Sequence, residues 1–201
     1  MRIRNRLWLV VGSYIRKKRY EPVRPWLKGN VLDIGCGPAY LARFVEANRT
    51  YVGIDGKEEL IETLQKNHRD LSNRKFHCIN IENENELSML ISYTSFNTII
   101  LLAVIEHLRN PKIILSFCKK MLADDGTLVL TTPTRGGDKI GSLLYKHLSS
   151  KKEFTFPHVK IYDKRSLNEL LESYNFRVDI YSKFEYGMNQ LFVCSKKGYE
   201  L

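Results

Sequence analysis

The chain has 201 residues, 43% of them hydrophobic, and a formal net charge of +10. This length suits one domain with a full hydrophobic core and no second domain. The longest apolar run near the start, residues 7–11, is too short for a signal peptide or a membrane span, and the four cysteines show no zinc-ligand spacing. We therefore expect a soluble, cytoplasmic protein.

The first 28 residues carry most of the charge. They contain nine basic residues and one acid, Glu21, and so account for +8 of the +10. Apolar residues spaced three to four apart over residues 2–20 predict an amphipathic helix with a basic face, which Pro22 and Pro25 end. We expect residues 1–29 to form a basic helical segment. It either packs on the domain with its basic face in solvent, or meets an anionic membrane surface or an acidic partner.

A glycine turn follows the first predicted strand. Residues 30–34 form a short apolar run around Asp33, and Gly35 and Gly37 follow directly, before a helical pattern that begins at Tyr40. Glycine adopts positive φ at little cost and lets a ligand approach the backbone. A second predicted strand ends in Asp55, where a carboxylate can accept hydrogen bonds from both hydroxyls of a ribose. These features favour an adenosine-type ligand, although Asp55 could also cap the next helix.

The remaining pattern alternates between apolar runs and helical segments. Further strands are predicted over residues 75–81, 96–102, 127–132, 176–186 and 189–196. Helices are predicted over residues 57–67, from Pro111, and around Leu167, the last capped by Asp163 or Ser166. The least periodic segment, residues 135–150, predicts a mobile loop and a short helix placed as a lid over the substrate. The alternation indicates a doubly wound, mostly parallel sheet.

Several motifs resemble those of the class I S-adenosylmethionine-dependent methyltransferases that act on small molecules. The string D-x-G-x-G-x-A at residues 33–39 resembles their motif I, and VIEHL at residues 104–108 resembles their VLEHL segment. Residues 157–176 resemble a third segment of the family. The resemblance implies one α/β domain over residues 30–201 with a Rossmann-like, seven-stranded sheet whose last strand is reversed. Tyr40 replaces the third glycine of a dinucleotide fingerprint, which speaks against a nicotinamide-dependent enzyme.

The resemblance also implies the cofactor and its contacts. We expect the protein to bind S-adenosylmethionine, to release S-adenosylhomocysteine, and to methylate an O, N or C nucleophile of a small molecule. The expected cofactor contacts are Asp33, Gly35, Cys36, Gly37, Asp55, Gly56, Asn80, Ile81 and Ala103. Asn80 and Ala103 stand where many members carry an acid. His107 and His158 fall around the cleft and are candidate general bases, although His107 could equally cap the loop.

Two other functions stay open. Asn80 and Ala103 are compatible with a protein that binds cofactor or a partner without catalysis. The basic N-terminus is compatible with a nucleic-acid methyltransferase, although the chain has no N/D-P-P-Y string and no base-stacking motif, so a nucleic-acid partner is less expected. No group of carboxylates has metal-ligand spacing along the chain, and we expect no catalytic metal.

Overall fold

The computed structural model describes residues 18–93, 95–148 and 158–198. The predicted basic helix therefore lies outside the described residues, except for its final turn at residues 18–20. No helix in the described ranges is long and apolar enough to cross a bilayer.

From residue 21 onward the described residues form one sheet of seven strands, accompanied by five α-helices. The strands are β1 (Val31–Ile34), β2 (Tyr51–Asp55), β3 (Arg74–Cys78), β4 (Phe96–Leu102), β5 (Leu122–Pro133), β6 (Phe176–Phe184) and β7 (Asn189–Lys196). The helices are α1 (Glu58–Asn67), α2 (Glu84–Ser88), α3 (Pro111–Met121), α4 (Arg135–Leu148) and α5 (Lys164–Ser173). The strand order is β3-β2-β1-β4-β5-β7-β6. The strands β1 to β5 pair in parallel and β7 runs antiparallel to both neighbours, which confirms the predicted sheet with its reversed last strand.

The core lies on both faces of this sheet. Neighbouring side chains along a strand point to opposite faces, so Leu32 and Ile34 join one buried cluster while Val31 joins the other. β4 behaves in the same way, with Ile99 on one face and Ile100 on the other. Burial on both faces explains why these strands are continuous apolar runs in the sequence. It also holds the carboxyl ends of β1, β2 and β4 together at one edge.

The last residues of the basic segment pack onto the domain. Val23 is fully buried in one core cluster, and the Tyr20 ring stacks on the Tyr40 ring at 4.6 Å between centroids. The Thr98 hydroxyl in β4 donates to the Trp26 carbonyl at 2.9 Å. The chain is therefore tied beside the glycine turn at Tyr20 and to the amino end of β4 at Trp26.

Two predicted elements differ from the structure. The helix predicted from Tyr40 is a short 3-10 helix, Tyr40–Phe44. Residues 135–150 were predicted as a mobile loop and a short helix; the helical part is confirmed, but α4 begins at Arg135, directly after β5, where the loop was expected. The Thr134 hydroxyl accepts a hydrogen bond from the Gly137 N–H at 3.0 Å and so caps this helix. A Cβ on Gly137 would lie 1.8 Å from the Met188 carbonyl oxygen, so close backbone packing explains this glycine.

Candidate active site

The two glycines of the turn have different surroundings. Gly35 and Gly37 both have positive φ, of 71° and 50°. A Cβ on Gly35 would lie 2.6 Å from the Val104 Cγ2, whereas a Cβ on Gly37 would meet nothing within 4 Å. Gly35 is therefore required for packing. Gly37 borders open space, where a ligand can approach the backbone.

Asp55, the last residue of β2, ties this turn to the next helix. One carboxylate oxygen accepts from the Gly37 N–H at 3.1 Å, and the other accepts from the Lys57 N–H at 3.1 Å. Because a carboxylate oxygen can accept two hydrogen bonds, each keeps capacity for a ligand hydroxyl. The two roles expected for Asp55, in the loop and toward a ribose, are geometrically compatible.

Asp33 is buried inside β1 and is only 3% exposed. Its carboxylate accepts a hydrogen bond from the Tyr51 hydroxyl at 2.6 Å. Burial raises the pKa of Asp33 to about 6; the Tyr51 hydrogen bond opposes this shift and the charge of Asp55 adds to it. The contacts support a bracing role beneath the glycine turn. The thiol of Cys36 is also buried, and burial raises its pKa, so only the backbone of Cys36 is placed to meet a ligand.

Asp33→Asn is expected to change how stability depends on pH. The folded-state pKa is raised from 3.8 to about 6, so ionisation costs folding free energy as pH rises through this window. The shift corresponds to about 3 kcal/mol. The variant keeps the acceptor for Tyr51 and cannot ionise. The free energy of unfolding is measured by urea denaturation at about pH 4 and about pH 7.5. Between these pH values, the stability of the variant relative to wild type should rise by about 2–3 kcal/mol. A difference that does not change with pH would contradict the assignment.

The other expected cofactor residues lie at the same edge of the sheet. Gly56 follows β2 and is exposed, and Asn80 and Ile81 follow β3. The Asn80 side chain is exposed and its oxygen accepts from the Glu82 N–H at 3.1 Å, while Ile81 packs on the core. Ala103 follows β4 with φ 53°. The structure thus places these residues after three parallel strands at one edge.

The two candidate histidines lie side by side. The ring centroids of His107 and His158 are 4.8 Å apart, although 50 residues separate them in the chain. His107 ends the 3-10 helix Ile105–His107 after β4. The N–H groups of Val159 and Lys160 both donate to the Glu106 carbonyl, at 2.8 and 3.1 Å, and so fix the His158 segment on this turn.

Two acids next to these histidines were not anticipated from the sequence. Asp138 in α4 lies 2.5 Å from the Nδ1 of His158 through one carboxylate oxygen, which fixes the orientation of that ring. Glu106 is fully buried, and neither of its carboxylate oxygens has a hydrogen-bond partner among the described residues. Burial raises the pKa of Glu106 to about 7, against the nearby charge of His158 and of Arg19. The sequence did carry one sign of this cluster, because Glu106 is an acid within the otherwise mostly apolar string VIEHL.

The profile of one protein family, described as a methyltransferase domain, matches residues 14–180. The chain belongs to this methyltransferase family. The family match and the sheet topology together confirm the predicted resemblance to the S-adenosylmethionine-dependent methyltransferases.

Curated relatives of this methyltransferase domain carry one name. A ubiquinone biosynthesis O-methyltransferase of Glaesserella parasuis is 31% identical over 107 residues, which are 52% of this chain and 45% of the relative. The protein of the same name from Neisseria meningitidis is 28% identical over 144 residues, 65% of this chain and 58% of the relative. The chain spans about half the length of the curated relatives it matches.

Solved structures show the same fold. The magnesium protoporphyrin IX methyltransferase of Synechocystis, with bound S-adenosylhomocysteine, superposes with a TM-score of 0.64 at 17% identity, covering 90% of this chain and 84% of that one. An S-adenosylmethionine-dependent methyltransferase of Clostridium acetobutylicum superposes with a TM-score of 0.64 at 11% identity, covering 92% and 90%. At these identities the likeness establishes the fold of the methyltransferase domain.

Proposed function

We propose that this methyltransferase domain binds S-adenosylmethionine beside Gly37 and Asp55 and transfers its methyl group to an oxygen of a small molecule. The observation that carries the proposal is the open face of Gly37 next to the Asp55 carboxylate. It lies beyond the carboxyl ends of β1 and β2, next to the point between β1 and β4 where the strand order reverses and where open α/β sheets bind their ligands. The printed names of the curated relatives support oxygen as the nucleophile.

The residues present fit this cofactor. Asp55 has free acceptor capacity for the ribose hydroxyls, and the exposed amide of Asn80 can accept from the adenine amine. Ile81 would offer an apolar contact to the adenine ring. The backbone of Gly35, Cys36 and Gly37 would border the amino-acid part, with Asp33 bracing the turn from below.

The main task of the protein in this reaction is to align the nucleophile with the methyl group of the cofactor. The cofactor supplies an already activated methyl group on a sulfonium. Holding the nucleophile in line with it can contribute roughly 7–11 kcal/mol to lowering the barrier. A hydroxyl nucleophile must also lose its proton, and the pair of His107 and His158 is the group placed to assist this step. Asp138 acts as a positioning residue, because it holds the Nδ1 of His158 and leaves the Nε2 for the substrate side.

A transfer experiment with tritiated cofactor tests this function. Purified protein is incubated with S-[methyl-³H]adenosylmethionine and cell extract, and the product is divided into lipid, small-molecule, protein and RNA fractions. We expect label in the small-molecule or lipid fraction, and none with the Gly37→Val variant. Label in RNA would favour a nucleic-acid methyltransferase instead. Binding of cofactor without any transfer would favour the non-catalytic alternative.

Three earlier predictions concern parts of the protein that the described residues do not test. These are the separate basic segment at residues 1–29, its contact with an anionic membrane surface, and a cytoplasmic location. Supporting the contact is the charge of +8 in the first 28 residues. Arg19, near the end of the helix predicted within that segment, lies near enough to influence the pKa of Glu106, which supports a position beside the active site.

A further inference from the structure

We propose that Glu106, His107 and His158 bind a divalent transition-metal ion, with Zn²⁺ as the best match, at the acceptor side of the cleft. The three side chains each offer one ligand atom, and these atoms all lie within 4.8 Å of one another. Two imidazoles and one carboxylate are donors that borderline metals such as Zn²⁺ prefer. Three protein ligands with a fourth position left open are typical of catalytic zinc.

The carboxylate of Glu106 is an independent sign of a missing partner. It is fully buried, and within the described part of the chain neither oxygen has a hydrogen bond. The Thr132 hydroxyl lies beside this carboxylate and lowers its pKa, but the two make no hydrogen bond of good geometry. A buried carboxylate with no hydrogen bond is costly, and a cation bound through one of its oxygens would balance its charge.

The surroundings of the three residues also suit a metal site. Asp138 holds the Nδ1 of His158, and a carboxylate behind a ligating histidine is the usual arrangement that orients the ring in metal centres. The hydrogen bonds from Val159 and Lys160 to the Glu106 carbonyl fix the segment that carries His158 against the turn that carries Glu106 and His107. The ligand geometry is therefore organised before any ion arrives.

The role of the ion rests on the proposed function, with His107 and His158 assisting deprotonation as ligands of the ion instead of as free bases. An acceptor hydroxyl in the open position would have its pKa lowered, so its proton leaves to water. The oxygen electron pair then forms the new O–CH₃ bond. The S–CH₃ bond breaks, its electron pair stays on sulfur, and S-adenosylhomocysteine leaves as a neutral thioether. No other co-reactant is required.

The test measures metal binding directly, without methyl transfer. Cys78 is exposed, so tag-free protein carrying Cys78→Ser is stripped with chelator and titrated with Co²⁺ by visible absorption and with Zn²⁺ by calorimetry. We expect one equivalent of metal. Glu106→Gln and His158→Gln should abolish the cobalt absorption, and Asp138→Asn should weaken binding by about 10–100-fold. The matched control is His68→Gln, because His68 lies outside the cluster, with its Nδ1 on the Leu64 carbonyl and its ring against Phe76.

The outcomes separate the ion from the cofactor. Each variant is also titrated with S-adenosylhomocysteine, whose affinity we expect to stay unchanged because these residues lie on the acceptor side. Absence of metal binding in protein that binds S-adenosylhomocysteine would overturn the metal site and leave the proposed function standing; His158 and Arg19 would then balance the charge of Glu106 without an ion. Metal binding without cofactor binding would support the site and contradict the proposed function. If Glu106→Gln does not fold, the partly exposed Asp138→Asn decides, and unchanged affinity there would count against the site.

Discussion

Gly37→Val is expected to abolish binding of S-adenosylhomocysteine while the protein still folds. A Cβ on Gly37 would meet no atom within 4 Å, so the valine would enter open space that the cofactor needs rather than the core. The positive φ of 50° adds a strain of about 1–2 kcal/mol, which an ordinary domain tolerates. Calorimetric titration measures the binding, and circular dichroism with a thermal melt measures the fold.

Two other glycines serve as controls for this result. Gly198 has φ 107° and open space around its Cβ position, but it follows β7 at the opposite edge of the sheet, so Gly198→Val should bind normally. Gly35→Val should instead lower the stability of the fold by about 1–3 kcal/mol, because its Cβ would lie 2.6 Å from Val104. Normal binding by Gly37→Val would show that this turn is not the cofactor site.

Asp55→Ala is expected to weaken S-adenosylhomocysteine binding at least about tenfold. The substitution removes an ionised acceptor for two ribose hydroxyls, each hydrogen bond contributing about 1.5–3 kcal/mol at most. It also removes the hydrogen bond from the Gly37 N–H that holds the turn. Asp55→Asn keeps the volume and one acceptor oxygen, and we expect an intermediate affinity from calorimetry.

A double-mutant cycle separates the ribose contact from the loop contact. S-Adenosylhomocysteine and its 2′-deoxy analogue are titrated into wild type and Asp55→Ala. If Asp55 contacts the ribose, the missing hydroxyl should cost affinity in wild type and little in the variant. Equal losses in both proteins would confine Asp55 to its contacts with Gly37 and Lys57.

The fold was predictable because its signals are local. The apolar run at Phe96–Leu102 is the buried strand β4, and Pro111 occupies the first turn of α3, where its missing N–H costs nothing. The expected caps of α5 were also right, since Asp163 and Ser166 form a reciprocal capping box. Each of these features depends on neighbours within a few residues, which the sequence displays directly.

The errors and omissions depend on contacts between distant segments. The glycines after β5 indicated a loop, but this segment is the start of α4. Gly137 is required there because its backbone packs closely against Met188, between β6 and β7. Nothing in the sequence distinguishes Gly35 from Gly37, although only Gly35 packs against a side chain, that of Val104.

The expectation of no catalytic metal used only ligand spacing along the chain, and the proposed site has no such spacing. Glu106 and His107 follow β4, whereas His158 precedes α5, and only folding brings them within reach of a single ion. Asp138 likewise comes from a third segment, α4. A cluster built from three separate segments leaves no regular spacing that sequence reasoning could detect.

The most direct test of the central claim is a pair of calorimetric titrations under identical conditions, one with S-adenosylhomocysteine and one with NAD. The open turn at Gly37, the carboxylate of Asp55 and the reversed strand β7 predict saturable binding of S-adenosylhomocysteine at one site per chain and no heat from NAD. Binding of NAD, or no binding of S-adenosylhomocysteine to folded protein, would contradict the assignment of this crevice as a methyl-donor site.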